Sequence, residues 1–180
     1  IAYSAANANL STNLYTSTNY GAEVEVLYGF DAFRGFFNIS VAKRSSETIL
    51  DTTIAKSTEL TWEPEFKINF GTTYTQKKWN VGLMAHYQGE VKRRTSDQGV
   101  QTLPLGVAVQ FNSDDYRGKA VKSWLTFDLH ANVQIFDGVE AELKVNNLMD
   151  TKYHLVKNIG FPFDYQQIGR SAEFGLKLEL

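Results

Sequence analysis

His86, Asp128 and His130 are side chains of this 180-residue chain that could perform acid–base chemistry. All three fall on the polar faces of two stretches with alternating polarity, 79–89 and 124–136. If these stretches pair as neighbouring strands, His86 and Asp128 could be adjacent, and a carboxylate that orients a histidine can produce a general base. The spacing fixes no serine and no second acidic partner, and it matches no metal-ligand pattern. We therefore expect no catalytic site, no metal and no cofactor.

The composition excludes several classes of protein and several kinds of site. The chain has no cysteine, which excludes a disulfide framework, a thiol nucleophile and a cysteine-based metal site. A formal net charge of −2 argues against a general nucleic-acid binder, which needs a strong basic excess. Tyrosine (9) and phenylalanine (12) are plentiful and proline (3) is scarce, which favours strands. No apolar run approaches the length of a transmembrane helix.

Alternation of apolar and polar residues with a period of two defines the strand candidates, because it gives one apolar and one polar face. Eight stretches show it: 2–9, 21–30, 35–43, 65–74, 79–89, 124–136, 139–148 and 171–180. In the last stretch Phe174, Leu176, Leu178 and Leu180 alternate with polar residues or glycine up to the final residue. This apolar face must be covered by something other than water.

The connections between these strands alternate in length without exception. In chain order, long and short connections follow one another: 10–20, 31–34, 44–63, 75–78, 90–122, 137–138 and 149–170. A transmembrane β-barrel imposes this alternation, because short turns lie on the periplasmic side and long loops on the extracellular side. Most of the strands also have the roughly 9–11 residues that a tilted membrane strand needs. We predict an all-β fold, an antiparallel up-and-down transmembrane β-barrel; a lipocalin-like or sandwich fold is the alternative.

Aromatic residues near the strand ends support the membrane interpretation, because such residues form girdles at the two membrane interfaces. They are Tyr28, Phe30, Tyr74, Trp79, Tyr87, Trp124 and Phe136.

Several motifs resemble those of one family. The strand that contains Asp128 is followed by a hairpin and by a strand that ends in Asn147-Leu148-Met149-Asp150-Thr151-Lys152-Tyr153. Gly169-Arg170 precedes the last strand, and Gly21-Ala22-Glu23 opens an earlier one. Together these motifs resemble the C-terminal part of the barrel of TonB-dependent outer-membrane receptors. The last strand also resembles the signal of the barrel assembly machinery, although Leu180 stands where Phe or Trp is usual.

The resemblance implies a location, a direction and a domain organisation. The location is the bacterial outer membrane, with the C-terminus in the periplasm and the long loops outside the cell. A receptor of this family has a plug domain and a barrel of about 22 strands. We therefore predict that residues 1–180 form a single barrel segment without a plug domain, as the C-terminal part of a larger barrel. The rivals are a complete eight-stranded barrel that serves as adhesin or anchor, and a small outer-membrane hydrolase.

The function that the resemblance implies is active transport of a scarce nutrient: a ferric siderophore, haem, cobalamin or a similar compound. The implied partners are membrane lipid and lipopolysaccharide, the rest of the receptor, TonB acting through the plug, and the barrel assembly machinery.

The candidate ligand-binding residues lie in the long stretch 90–122 and could bind an anionic ligand such as an iron chelate: Lys92, Arg93, Arg94, Tyr116, Arg117 and Lys119. The alternative, which the sequence favours, is that these cations meet lipopolysaccharide phosphates or solvent. The motif residues are expected to be structural and to organise the last hairpin and loop: Gly21, Glu23, Asn147, Leu148, Asp150, Tyr153, Gly169 and Arg170.

Overall fold

The fold is built from long antiparallel strands. The computed structural model describes residues 2–3, 11–12, 15–49, 59–93, 101–102, 108–109, 120–156 and 164–178. The long strands are β1 (Tyr15–Phe30), β2 (Phe33–Ile49), β3 (Phe66–Gln76), β4 (Trp79–Gln88), β5 (Trp124–Phe136), β6 (Val139–Asn146) and β7 (Ser171–Leu178). Over the described residues, no helix reaches the length and apolarity required to cross a membrane.

All seven long strands belong to one sheet, in which each strand pairs with its neighbours in the chain. The pairing is antiparallel throughout, so the sheet is an up-and-down meander from β1 to β7. Within the described residues β1 and β7 do not pair with each other, and the sheet is open. This arrangement confirms the predicted all-β, antiparallel architecture.

The two ends of the sheet differ, as the sequence predicted. Two-residue turns at Asp31-Ala32, Lys77-Lys78 and Asp137-Gly138 lie at one end, which we call the turn end. Asp31 and Gly138 have φ angles of 48° and 77°, the left-handed region that tight hairpin turns require. The long connections all lie at the opposite end, the loop end.

The register aligns the apolar residues of adjacent strands on one face. One row across the first five strands consists of Val26, Phe37, Phe70, Ala85 and Phe127. Because side chains alternate between faces, the neighbouring rows on the opposite face are largely polar. The apolar face is uncovered on β7, where Phe174 is 71% and Leu178 is 66% exposed. An exposed apolar face of this extent is what a lipid-facing barrel wall requires.

The number of described strands in the sheet and several strand boundaries differ from the sequence prediction, and the turns predicted at 31–34 and 75–78 are two residues long. Ala2–Tyr3, the described part of the predicted strand 2–9, pairs with Ser11–Thr12 in a separate two-stranded ladder. Among the described residues, the main sheet has seven long strands. In addition, β1 begins at Tyr15 and β2 continues to Ile49, inside stretches that the sequence predicted to be loops. Both faces of these extensions are polar, so they show no alternation, yet backbone hydrogen bonds form irrespective of the side chains.

Buried apolar residues gather at the loop end. Leu60, Val91 and Val121 are at most 6% exposed. Val91–Lys92 pairs with Ala120–Val121, and Thr61 forms a parallel bridge with Lys92. The described residues thus include a small core outside the sheet, where segments of the long connections meet.

Candidate functional site

A chain of polar side chains crosses the polar face from β1 to β5. Asn38 Nδ2 donates a hydrogen bond to Glu23 Oε1 at 2.6 Å, and Asn69 Nδ2 lies 3.5 Å from Asn38 Oδ1. His86 Nδ1 lies 2.9 Å from Asn69 Oδ1, and His86 Nε2 lies 3.6 Å from Asp128 Oδ2. One nearly continuous network therefore connects side chains on five strands.

The pairing of β4 with β5 confirms the predicted proximity of His86 and Asp128. The imidazole of His86 thus lies between Asn69 Oδ1, next to Nδ1, and the carboxylate of Asp128, next to Nε2. Asp128 in turn accepts a hydrogen bond from the backbone N–H of Asn147 through Oδ1, at 2.7 Å. His86 and Asp128 are therefore part of a network of polar contacts that joins the sheet to the loop end.

The side chain of Asn147 closes the turn that follows β6. Its Nδ2 donates to Thr151 O and its Oδ1 accepts from Thr151 N, both at 2.9 Å. Asn147 has a φ of 51° and is 5% exposed, a backbone conformation that asparagine tolerates better than most residues. The backbone N–H of Leu148 donates to Phe127 O at 2.7 Å and continues the pairing with β5. The predicted motif residues Asn147 and Leu148 therefore hold the start of the last loop on the sheet.

Asp150 holds the end of the same loop. Its Oδ1 accepts hydrogen bonds from the backbone N–H of Arg170 at 2.8 Å and from Lys152 Nζ at 3.0 Å. The hydrogen bond from Arg170 and then the one from Lys152 lower the pKa of the Asp150 carboxyl group. A Cβ atom on Gly169 would collide with this carboxylate, so glycine lets the carboxylate lie against the backbone without moving. Asp150 thereby joins the beginning of the loop to the residues immediately before β7.

Tyr153 packs on the aromatic ring of Trp124, with a distance of 4.3 Å between ring centroids and 31° between the ring planes. Burial, and then the charge of Asp128, raise the pKa of the Tyr153 hydroxyl group. The six motif residues from Asn147 to Arg170 thus surround one loop. Gly21 and Glu23 lie apart from them on β1, where Gly21 closely approaches the carbonyl oxygen of Val41. These contacts support the structural role of the motif, which stays a prediction.

Two of the predicted ligand-binding residues are paired with carboxylates. Lys92 Nζ lies 2.8 Å from Glu59 Oε1 and 3.6 Å from Glu65 Oε1. The hydrogen bond with Glu59 is the largest cause that raises the pKa of Lys92, and it acts against the desolvation of the ammonium group. The guanidinium of Arg93 is buried against the carboxylate of Asp164, and each side chain is only 2% exposed.

The other predicted ligand-binding residues lie outside the described residues: Arg94, Tyr116, Arg117 and Lys119. Ligand binding by the basic set therefore stays a prediction. Lys92 and Arg93 themselves contribute to the packing of the loop end.

We use the name loop cap for the cluster of Leu60, Thr61, Val91, Arg93, Val121 and Asp164. The backbone N–H of Trp62 donates to Lys92 O at 3.0 Å, and Arg44 Nη1 donates to Thr61 Oγ1 at 3.3 Å. The sequence analysis missed Asp164, which follows Phe161-Pro162-Phe163 and carries no local signal of a buried ion pair. The loop cap joins segments of all three long connections to one another.

The contacts of Asp150 predict that the stability of the last loop depends on pH. The pKa of Asp150 is lowered in the folded protein. The ionised carboxylate therefore stabilises the last loop at neutral pH, and this stabilisation is lost as pH falls below the ordinary carboxyl range. We expect the protection of the Arg170 amide from hydrogen exchange, corrected for intrinsic rates, to fall on acidification. Asp150→Asn keeps an acceptor for Arg170 and should lose this pH dependence. An equal acid response in both proteins would contradict the prediction.

The sequence and the fold of this chain are similar to those of known receptors. No family model matches the sequence. The curated ferripyoverdine receptor of Pseudomonas aeruginosa is 36% identical over 105 residues, which cover 56% of this chain and 11% of the receptor. The solved siderophore receptor PiuA from Acinetobacter baumannii has a TM-score of 0.65 at 20% identity, covering 90% of this chain and 22% of that one. The ferric yersiniabactin uptake receptor FyuA from Yersinia pestis also has a TM-score of 0.65, at 14% identity, covering 92% and 24%.

The resemblance to TonB-dependent receptors is confirmed. The chain has the fold of a wall segment of these barrels, and its predicted location in the bacterial outer membrane agrees with that of its relatives. It spans 11% of the curated receptor and between 22% and 24% of the two solved receptors. The relatives are transport receptors and not enzymes.

Proposed function

We propose that this chain is part of the barrel of a TonB-dependent transporter that carries ferric siderophores across the bacterial outer membrane. The observation that carries the proposal is the open seven-stranded meander, which has an exposed apolar face and all its long connections at one end. A sheet of this kind needs lipid on its apolar face and further strands at both edges. Seven strands would form about a third of the 22-stranded wall that encloses a plugged lumen in outer-membrane transporters.

The open edges favour a larger barrel over a complete small one. A closed eight-stranded barrel would require a strand near the N-terminus to pair with β7. Among the described residues, β7 pairs only with β6, and Ala2–Tyr3 pairs with Ser11–Thr12. The partners of the two edges would therefore be other strands of the same receptor, and the plug domain would fill the lumen.

The proposed substrate class is the ferric siderophore. The curated relative is named a ferripyoverdine receptor, and the two solved relatives are named siderophore and ferric yersiniabactin receptors. In this chain, loops tied together by the loop cap would form part of the outer mouth of the barrel, above a polar wall that water can wet. The proposal gives this wall no enzymatic role, because both ring nitrogens of His86 point at groups of the structural network.

The remaining partners follow from the same proposal. Lipid and lipopolysaccharide would cover the apolar face, TonB would act through the plug, and the barrel assembly machinery would insert the protein. No nucleic acid is expected as a partner.

Uptake of labelled iron tests the proposed function. The gene that encodes this chain would be deleted, and cells grown under iron limitation would be offered a panel of ferric siderophores, haem and cobalamin. We expect uptake of at least one ferric siderophore to be lost, to return on complementation with the complete gene, and to stop when the proton-motive force is dissipated. Unchanged uptake of every siderophore in the panel, together with loss of haem or cobalamin uptake, would overturn the assigned substrate class.

A further inference from the structure

The side-chain network on the polar face has a direction, because it begins at a carboxylate. An ionised carboxylate only accepts hydrogen bonds, so Asn38 turns its Nδ2 toward Glu23 Oε1. Asn38 then presents Oδ1 to Asn69 Nδ2, and Asn69 presents Oδ1 to His86 Nδ1. On the far side of the ring, His86 Nε2 lies 3.6 Å from Asp128 Oδ2. Both ring nitrogens of His86 therefore have hydrogen-bond acceptors as their neighbours.

A neutral imidazole cannot donate to both of these acceptors. It has one N–H group, and when this group donates from Nδ1 to Asn69, the lone pair at Nε2 faces the carboxylate of Asp128. A second proton makes Nε2 a donor and turns the contact between His86 and Asp128 into an ion pair. Histidine is the side chain whose charge changes between about pH 5 and pH 8. The side chain of His86 is 33% exposed, so its ring can exchange protons with water.

Several charged groups share the polar face with this ring. Lys67 occupies a polar-face position on β3, and the polar face of β5 carries Asp128 and His130. His130 Nε2 lies 3.0 Å from a carboxylate of its own, Glu142 Oε1, and the charge of Asp128 acts on the hydroxyl group of Tyr153 in the last loop. A second proton on the ring is repelled by Lys67 and attracted by Asp128, and Asp128 is the group in contact with Nε2.

Asp128 connects the ring to the last loop. Its Oδ1 accepts the backbone N–H of Asn147 at 2.7 Å, while its Oδ2 faces His86. Asn147 in turn closes the first turn of the loop through its two hydrogen bonds with Thr151. An ion pair with His86 holds the Asp128 carboxylate in the orientation that the Asn147 N–H requires. A second proton on the ring therefore strengthens the anchor at the start of the loop.

We propose that His86 is a positioning residue for the last loop, and that protonation of its ring orders this loop through Asp128. The contribution of His86 is present below the pH range in which histidine titrates and is lost as pH rises through it. Asp150 acts in the opposite direction, because it loses its contact with Arg170 only in stronger acid. The last loop is therefore most ordered in mildly acidic solution. This inference goes beyond the proposed function and does not depend on the transported substrate.

Hydrogen exchange of the Asn147 and Thr151 amides, measured in the complete receptor folded in lipid vesicles, tests the proposal. We expect their protection, corrected for intrinsic rates, to rise roughly twofold to fivefold between about pH 8 and pH 5.5, the size of effect that a partly exposed ion pair produces. His86→Gln keeps a polar side chain that does not titrate and should abolish the rise. His130→Gln is the matched control on the same face and should retain it. Asp128→Asn keeps an acceptor for Asn147, should also abolish the rise, and supplies the test if His86→Gln does not fold.

The outcomes separate this inference from the proposed function. Equal protection of the two amides at both pH values in the parent receptor would overturn the role of His86, even if siderophore uptake is normal. A rise that persists in His86→Gln, or that disappears in His130→Gln as well, would also overturn it, because another group would then control the loop. The measurement requires no siderophore, so a receptor that transports none can still show the rise and leave the role of His86 standing.

Discussion

In a receptor that carries Asp164→Ala, the free energy of opening the loop cap is expected to fall by about 3 to 5 kcal/mol. The substitution leaves the guanidinium of Arg93 buried and without the Asp164 carboxylate, and both side chains are only 2% exposed in the folded protein. Hydrogen exchange of the amides in the ladder between Val91–Lys92 and Ala120–Val121 measures this opening. Because every 1.4 kcal/mol is a factor of ten, their exchange should accelerate by roughly a hundredfold to a thousandfold or more.

Two controls separate the buried charge from a general loss of packing. The double variant Arg93→Met with Asp164→Val removes both charges and keeps the summed side-chain volume nearly unchanged, so its exchange should stay close to that of the parent protein or become slower. Lys92→Met removes a much more exposed pair, with Lys92 30% and Glu59 59% exposed, and should cost less than about 1 kcal/mol. Exchange that is equally slow in Asp164→Ala and in the parent would show that the ion pair does not hold the loop cap.

Leu129→Arg is expected to destabilise the barrel in a lipid bilayer by about 2 to 4 kcal/mol. Leu129 lies in the middle of β5, opposite Leu83 and Val145 on the apolar face. An arginine there would carry its charge into the hydrocarbon part of the membrane, where no water solvates it. A urea titration of the receptor folded in lipid vesicles measures the change in the free energy of unfolding.

The neighbouring position provides a matched control on the opposite face. His130 follows Leu129 in β5, faces the lumen and lies 3.0 Å from a carboxylate oxygen of Glu142, so His130→Arg can keep an ionic partner. Its effect should stay within about 0.5 kcal/mol. If His130→Arg were the more damaging of the two variants, the assignment of lipid and lumen faces would be reversed.

The loop cap and the sheet have different sources of stability. Every described strand pair of the sheet joins neighbours in the chain, so turn geometry and face polarity together specify it. The loop cap instead depends on contacts such as that between Arg93 and Asp164, which are 71 residues apart in the chain. Asp150 connects the two regions, because it anchors the last loop to the residue that precedes β7. Substitutions in the loop cap are therefore expected to change the outer mouth of the barrel and leave the wall intact.

Much of the sheet could be predicted from the sequence because its signals are local. The alternation in 124–136 and 171–180 predicted two strands and their apolar faces, and Asp137-Gly138 predicted the turn between β5 and β6. The start of β1 and the end of β2 could not be predicted, because the residues that extend these strands toward the loop end are largely polar on both faces. Of the strand predicted at 2–9, only Ala2–Tyr3 is described, and it pairs with Ser11–Thr12 outside the main sheet, since its weak pattern does not specify a partner.

Only the tertiary structure determines which partners the polar side chains bind. The basic residues Lys92 and Arg93 suggested ligand binding, but their carboxylate partners, Glu59 and Asp164, come from other loops that only the folded chain brings near. His86 and Asp128 were predicted to be close because pairing of adjacent strands is local information, whereas the roles of Asn69 and Asn147 in fixing them depend on register across several strands. A period of two specifies which face a residue occupies, and together with the alternating lengths of the connections and the aromatic residues at strand ends it predicted a membrane barrel from the sequence alone. The partner of each charge depends on distances through space, and these exist only once the strands and loops are assembled.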